Sequence, residues 1–213
     1  VNVLLTPDSI RPCGDHAVLV DLGTQDRRRA LDAALQASPP TGLVDLVPAL
    51  RTLLLTFATE AHRADAVARL RSIDVDALPV TAPEAGEPID ITVHYDGPDL
   101  ADVAAHLGIV PDEVVRRHTA QLWTVDFAGF MPGFGYLTGD AGGLDVPRLA
   151  TPRTRVPAGS VALAGSFTGV YPSPSPGGWR IIGTTDAVLF DADRTPPALL
   201  SPGRRVRFVE DPR

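Results

Sequence analysis

The chain has 213 residues, 44% hydrophobic and 21% charged, the balance of an ordinary soluble globular protein with one large or two small domains. Its formal net charge of −7 argues against a dedicated nucleic-acid binder with a basic face, though a local arginine pocket stays open. A single cysteine, Cys13, excludes an internal disulfide, and the absence of lysine excludes a P-loop lysine, a Schiff base and a Ser-Lys pair.

Ala17–Leu22 reads as a strand, entered through Cys13-Gly14-Asp15-His16 and left at Gly23. Asp26–Gln36 follows as a helix, with Ala30, Leu31, Ala34 and Leu35 in one apolar stripe and Asp26 at the end where the helix dipole favours an acid. Leu43–Val47 and Leu53–Phe57 are apolar runs separated by a turn at Pro48. A second helix spans Ala61–Arg71, with Ala61, Ala64, Val67, Ala68 and Leu70 as its expected buried side. This order predicts a small α/β sandwich with helices on one face. Residues 72–88 are rich in proline, glycine and acids and read as a linker, which sets two domains at 1–80 and 81–213.

In the second domain Ile89–Tyr95 alternates as a strand should. Leu100–Leu107 is a helix with Asp99 as its cap and Gly108 at its end. Pro111 opens another, running to about His118, with Asp112 and Glu113 in its first turn. Trp123–Phe127 is a strand, and strands follow at Ser160–Ala164, Gly169–Tyr171, Trp179–Thr184, Ala187–Phe190 and Arg205–Val209. Short strands with Gly/Pro turns at this density predict a closed or nearly closed β-barrel. No apolar run reaches the roughly 18 residues of a membrane helix, and the first residues show no charged leader before an apolar core. The expected setting is therefore the cytoplasm, without a membrane or nucleic-acid partner.

The stretch Phe127–Thr185 concentrates glycine, proline, aromatics and the arginines Arg153, Arg155 and Arg180. His118 stands at a helix C-terminus, which favours an imidazolium; it reads as a cap, or as an acid, base or anion contact. Arg153 and Arg155 alternate, so an extended backbone points both the same way. They then hold one carboxylate or phosphate, stay solvated, or dock acids of a partner. Ser173, Ser175, Gly177 and Gly178 precede an apolar strand; the glycine pair offers N–H groups to an anion, or closes a tight hairpin in which Trp179 plugs the barrel. There is no Gly-x-Ser-x-Gly elbow, Ser160 and Ser166 are nucleophile candidates only by default, and the five histidines lack metal-ligand spacing. Asp15, Asp126 and Asp145 remain unranked as bases. These residues describe an anion-friendly, aromatic-lined cleft without a self-sufficient catalytic set, as in a site finished by another chain.

The segments GFMPGFGYL, LATPRTRVPAGSVALAG, TGVYPSPSPGGWRIIGTT and PALLSPGRRVRF resemble the KipI / allophanate hydrolase subunit 1 family, and upstream segments such as CGDHAVLVDLG match in family order. The resemblance implies an α+β two-domain fold, a small N-terminal α/β sandwich followed by a C-terminal cyclophilin-like β-barrel. Many bacterial members serve as the B component (PxpB) of 5-oxoprolinase. The implied partners are a KipA-like / allophanate hydrolase subunit 2 protein (PxpC) and a LamB/YcsF-like protein (PxpA), which together open 5-oxoproline, a small amide, to glutamate with ATP. Two alternatives come with the family, a KipI-like inhibitor of a histidine kinase and a hydrolase subunit of a urea or allophanate pathway. The site expected on the matched motifs comprises His118 and Arg153 as catalytic candidates. Arg155, Ser160, Tyr171, Ser175, Gly177, Gly178 and Arg180 are the substrate- or anion-binding candidates, with no metal and with ATP acting at the level of the complex. Two places depart from the family: Gly165-Ser166-Phe167, where many members carry two glycines and a glutamine, and TGDAGGLDVPR between Leu137 and Leu149.

Overall fold

Strict alternation along two strands sets up the first unit: Val18 and Val20 on one, Leu53, Leu55 and Phe57 on the other, all point to the same buried face. The computed structural model describes residues 5–79 and 86–211. The chain forms two compact units, Val1–Pro83 and Glu84–Arg213. The boundary expected after residue 80, and part of the expected linker, lie outside the described residues.

In the first unit, strands β1 (Ile10–Cys13), β2 (Ala17–Asp21), β3 (Leu43–Pro48) and β4 (Thr52–Phe57) form an antiparallel sheet in the order β1-β2-β4-β3. Helices α1 (Gln25–Ala37) and α2 (Glu60–Arg71) start where Thr24 and Thr59 accept hydrogen bonds from the backbone N–H of Arg27 and His62. Helix α1 buries Ala30, Leu31 and Leu35, as its stripe predicts. Helix α2 differs: Ala66 and Leu70 are buried while Ala61, Ala64 and Ala68 are exposed. An alanine-rich helix has no large side chains to fix its phase, so Leu70 and its i−4 neighbour decide which face turns in. Strand β1 carries too little alternation to be read from sequence; it forms because β2 offers it an edge, Ile10 facing Val20 and Cys13 facing Ala17.

In the second unit β5 (Ile89–Val93), β6 (Trp123–Ala128), β7 (Gly135–Gly139), β9 (Ser160–Ala164), β10 (Phe167–Val170), β12 (Arg180–Thr184) and β13 (Arg205–Glu210) form a seven-stranded sheet, ordered β12-β9-β10-β7-β6-β13-β5. It nearly closes on itself, because His94 and Thr184 exchange both backbone hydrogen bonds at 2.8 Å just past β5. Strands β8 (Arg153–Val156) and β11 (Ser175–Gly177) pair separately. Helices α3 (Leu100–Leu107) and α4 (Pro111–Ala120) bring Val103, Ala104 and Val114 to the main core with Trp123, Leu137, Leu163 and Phe208. A second aromatic cluster gathers Phe134, Tyr171 and Trp179. The fold is thus α+β, and no helix of the described residues is long and apolar enough to cross a membrane.

The strand expected at Ala187–Phe190 does not form; Phe190 makes only an isolated bridge to Ala198. The two sides of this bridge are joined by Leu199 N–H to the Leu189 carbonyl at 2.8 Å and Asp191 N–H to the Pro197 carbonyl at 3.0 Å, and the Arg194 guanidinium adds bonds to the Val188, Leu189 and Pro197 carbonyls. Helix α3 ends as expected at Gly108, whose φ of 68° is left-handed and whose N–H reaches the carbonyls of Ala104 and Ala105. Gly108→Ala is expected to lower stability by about 1 kcal/mol, read as a shift of the urea midpoint at constant m-value.

Candidate functional site

The chain segment between β6 and β7 folds onto the aromatic cluster. Phe134 is its hub, edge-on to Phe130, Tyr136, Tyr171 and Trp179 at centroid distances of 5.4, 5.1, 5.4 and 5.4 Å. Tyr136 stacks on Phe127 at 4.3 Å and stays partly exposed. Phe130 is the one non-glycine residue with positive φ among the described residues, at 69°, and it is 59% exposed. Such a conformation costs roughly 1–3 kcal/mol and persists where surroundings impose it; here it presents an aromatic ring outward beside the cluster. Phe167, at the site of the first family departure, fills its place with an apolar ring packed edge-on to Phe127 and Tyr136.

Tyr171 and Trp179 are both buried. A Cβ at Gly177 would collide with the Tyr171 hydroxyl, so glycine is required there. Burial pushes the Tyr171 phenol up; a hydrogen bond from the Trp179 backbone N–H and the charges of Arg148 and Arg153 pull the other way. Gly177 pairs with Arg153 across the β8–β11 ladder and Ser175 pairs with Val156, which brings Arg153, Ser175, Gly177 and Tyr171 together. The Ser175 hydroxyl is buried without a hydrogen-bond partner. Neither Gly177 nor Gly178 has the positive φ that an anion nest requires, so the expected nest is corrected: Gly177 is strand backbone, and the Gly178 carbonyl accepts from Leu149 N–H at 2.8 Å. Ser160 is buried at the start of β9.

The arginines have separate fates. Arg153 donates from Nη2 to Asp99 at 2.7 Å, and this bond holds its guanidinium still more firmly protonated. Asp99 is the residue that sequence reasoning missed. Taken as the cap of α3, it makes no capping bond; its second oxygen accepts from Ile181 N–H at 2.7 Å instead. Arg155 is exposed and is not joined to Arg153 on one partner. Arg180 donates to the Pro147 carbonyl at 2.9 Å and lies 3.9 Å from Asp102. Arg148, also missed, sits 6.0 Å over the Trp179 ring. Its only sequence signal was its place in the second family departure.

His118 is placed elsewhere. It has no exposed surface and packs against Trp123 and Phe208 at 5.0 and 4.4 Å. The Thr168 hydroxyl donates to the Ala162 carbonyl at 3.2 Å, so it accepts from His118 Nε2 at 2.9 Å. That leaves His118 Nδ1 to accept from the Tyr95 hydroxyl at 2.7 Å, which fixes a neutral tautomer. Burial pushes its pKa down to about 3, against the imidazolium expected at a helix end. The helix dipole contributes about 1–2 kcal/mol at best, and full desolvation outweighs it. No group of three or more His, Cys, Asp or Glu among the described residues is placed to hold a metal ion.

Residues 8–200 match the family described as carboxyltransferase domain, subdomain C and D. The chain is 41% identical over 198 residues to the B component of 5-oxoprolinase from Escherichia coli O157:H7, covering 89% of this chain and 87% of that protein. It is 33% identical over 225 residues to the B component of 5-oxoprolinase from Bacillus subtilis (strain 168), covering 94% and 91%. Among solved structures it resembles TTHA0988 at 40% identity and a TM-score of 0.73, over 92% of this chain; it spans 40% of that longer chain.

Proposed function

The chain belongs to the carboxyltransferase domain family, subdomain C and D, and from that membership we propose that it is the B component of a 5-oxoprolinase-type complex, opening 5-oxoproline to glutamate with ATP. The observation that carries this reading is the 41% identity to a 5-oxoprolinase B component, along nearly the full length of both.

The geometry supports a binding and charge-balancing share of the reaction. Opening an unstrained lactam needs an activated carbonyl. ATP supplies a phosphoryl group for the lactam oxygen and leaves as ADP; water then adds at the ring carbon, the C–N bond breaks as the nitrogen takes a proton, and a second water hydrolyses the resulting acyl phosphate to the carboxylate and inorganic phosphate. This chain has no lysine and no nest at Gly177-Gly178, so in this reading the phosphates of ATP are held elsewhere in the complex than at that glycine pair. Its own contribution is the aromatic face, the unpartnered Ser175 hydroxyl and cationic groups that offset developing negative charge. In this reading Arg153, held by Asp99, is such a group, and the KipA-like and LamB/YcsF-like proteins complete the site.

The test is ADP release driven by 5-oxoproline, measured with this protein alone and then mixed with KipA-like and LamB/YcsF-like proteins from the same source. Turnover is expected only in the full mixture. A stable complex without turnover would point to another amide, and failure to assemble would favour a regulatory protein. In the active mixture Arg153→Ala is expected to lower turnover roughly tenfold; an unchanged rate would remove that arginine from the site.

A further inference from the structure

We propose that the aromatic turn around Phe130, with Val188 and Phe190 beside it, is the surface on which the protein that completes this site docks, an apolar depression of that protein taking the Phe130 ring. This assignment rests on the reading above, in which the site is shared with another protein.

Three exposed apolar side chains come from two abutting segments. Phe130, in the turn between β6 and β7, is 59% exposed; Val188 and Phe190, on either side of the buried Leu189, are 61% and 40% exposed. The segments touch at Gly133, where a Cβ would lie 2.7 Å from Phe190 Cβ and 3.1 Å from the Leu189 carbonyl oxygen, so glycine is what lets them close up. Single exposed apolar residues are ordinary on a protein surface, whereas two phenylalanines and a valine gathered around one glycine mark a contact face.

The face is held in place before any partner arrives. In the turn, Met131 N–H donates to the Gly129 carbonyl at 2.8 Å and Phe134 N–H to the Met131 carbonyl at 3.0 Å. The Phe130 ring rests edge-on against Phe134 and Tyr171, with centroids at 5.4 and 6.2 Å. Across Gly133, Arg194 fastens the carbonyls of Val188, Leu189 and Pro197. Aromatic rings fixed in this way lose little freedom on association and make effective anchors. The positive φ of Phe130 points the same way, since the turn holds a large apolar ring outward in a conformation that glycine adopts without strain.

What covers the face follows from what it borders. Phe130 touches Tyr171, which lies with Arg153 and Gly177 at the β8–β11 ribbon, so a protein that reaches this site from outside meets the Phe130 face. The lengths of the relatives identify that protein. The matched part of TTHA0988 is 40% of one polypeptide, which carries its neighbour covalently; the E. coli relative, 87% covered by the match, has no room for such a neighbour. The occupant is accordingly the separate protein whose sequence corresponds to the rest of TTHA0988.

The experiment titrates this chain with that protein from the same source by isothermal calorimetry, without nucleotide or substrate. Wild type, Phe130→Gly, Phe190→Ser and the double variant are compared, with Val209→Ser, exposed on β13, as the control. Urea midpoints establish that each variant is folded. Kd is expected to rise at least about tenfold in each single variant and further in the double one, with the control within about twofold of wild type. Folded Phe130→Gly and Phe190→Ser chains that bind as tightly as wild type would overturn the proposal, as would a wild-type pair that does not associate. Self-association of this chain in sedimentation velocity, lost in Phe130→Gly, would overturn it in favour of a second copy. A pair that binds and is weakened by these variants, yet supports no 5-oxoproline turnover in the full mixture, would sink the substrate assignment and leave the docking surface standing.

Discussion

Between pH 6 and 4.5 the unfolding free energy is expected to fall with a slope approaching 1.4 kcal/mol per pH unit, from His118 alone. The folded-state pKa is depressed to about 3 by burial, while the unfolded chain titrates near the ordinary 6.5. The unfolded state therefore takes up the proton first. The stability associated with the neutral ring is complete above pH 6.5 and is lost as pH falls toward 3. Carboxylates add their own effect below about 4.5, so the window above that value isolates the histidine. Protonation in the folded state would turn Nδ1 into a donor facing the Tyr95 hydroxyl and place a charge between Trp123 and Phe208. Urea unfolding at half-unit pH steps should show the slope in the wild type and lose one proton's worth of it in His118→Gln. Equal slopes in the two proteins would show that another group is responsible. The same geometry explains why His118 is better suited to fastening α4 to β10 than to meeting a substrate: both ring nitrogens are occupied inside the core.

Asp99→Ala is the second large effect, an expected loss of about 2–4 kcal/mol. The carboxylate is nearly fully buried and joins three elements: the start of α3, Arg153 on β8 and the Ile181 N–H on β12. Removing it leaves a buried N–H without a partner. It also strands an arginine that is 30% exposed and so recovers only part of its hydration. Asp99→Asn keeps the shape and one acceptor but loses the charge, and its cost should be smaller. Chemical denaturation of the three proteins gives the comparison; if Asp99→Ala lost less than about 1 kcal/mol, the bridge would not be holding these elements together. Through Arg153 the substitution should also lower turnover of the reconstituted mixture, and a free-energy loss in both readouts would tie the fold to the site.

Most of the element order was legible because periodicity is local. The alternation of Val18 and Val20, the stripe of Leu31 and Leu35, and the stops at Gly23 and Gly108 depend on neighbours within a few residues. The motif segments also carried the family. What failed did so for lack of a local signal: β1 and β7 take their places from sheet partners, and the 187–190 run finds only the single bridge of Phe190 to Ala198.

The candidate site divides in the same way. Its composition, an arginine-rich and aromatic stretch without a nucleophile motif, was a property of the sequence. Which arginine is committed and which is open was decided by residues 54 and 33 positions away, Asp99 for Arg153 and Pro147 for Arg180. The protonation state of His118 was likewise decided by the core around it: position on a helix argues for the charged form, and removal from water settles the neutral one. Local sequence determines what a segment forms, because backbone conformation is set by near neighbours. Charge state and ligand availability follow the three-dimensional surroundings, because desolvation and ion pairing depend on whatever the fold brings within a few ångströms.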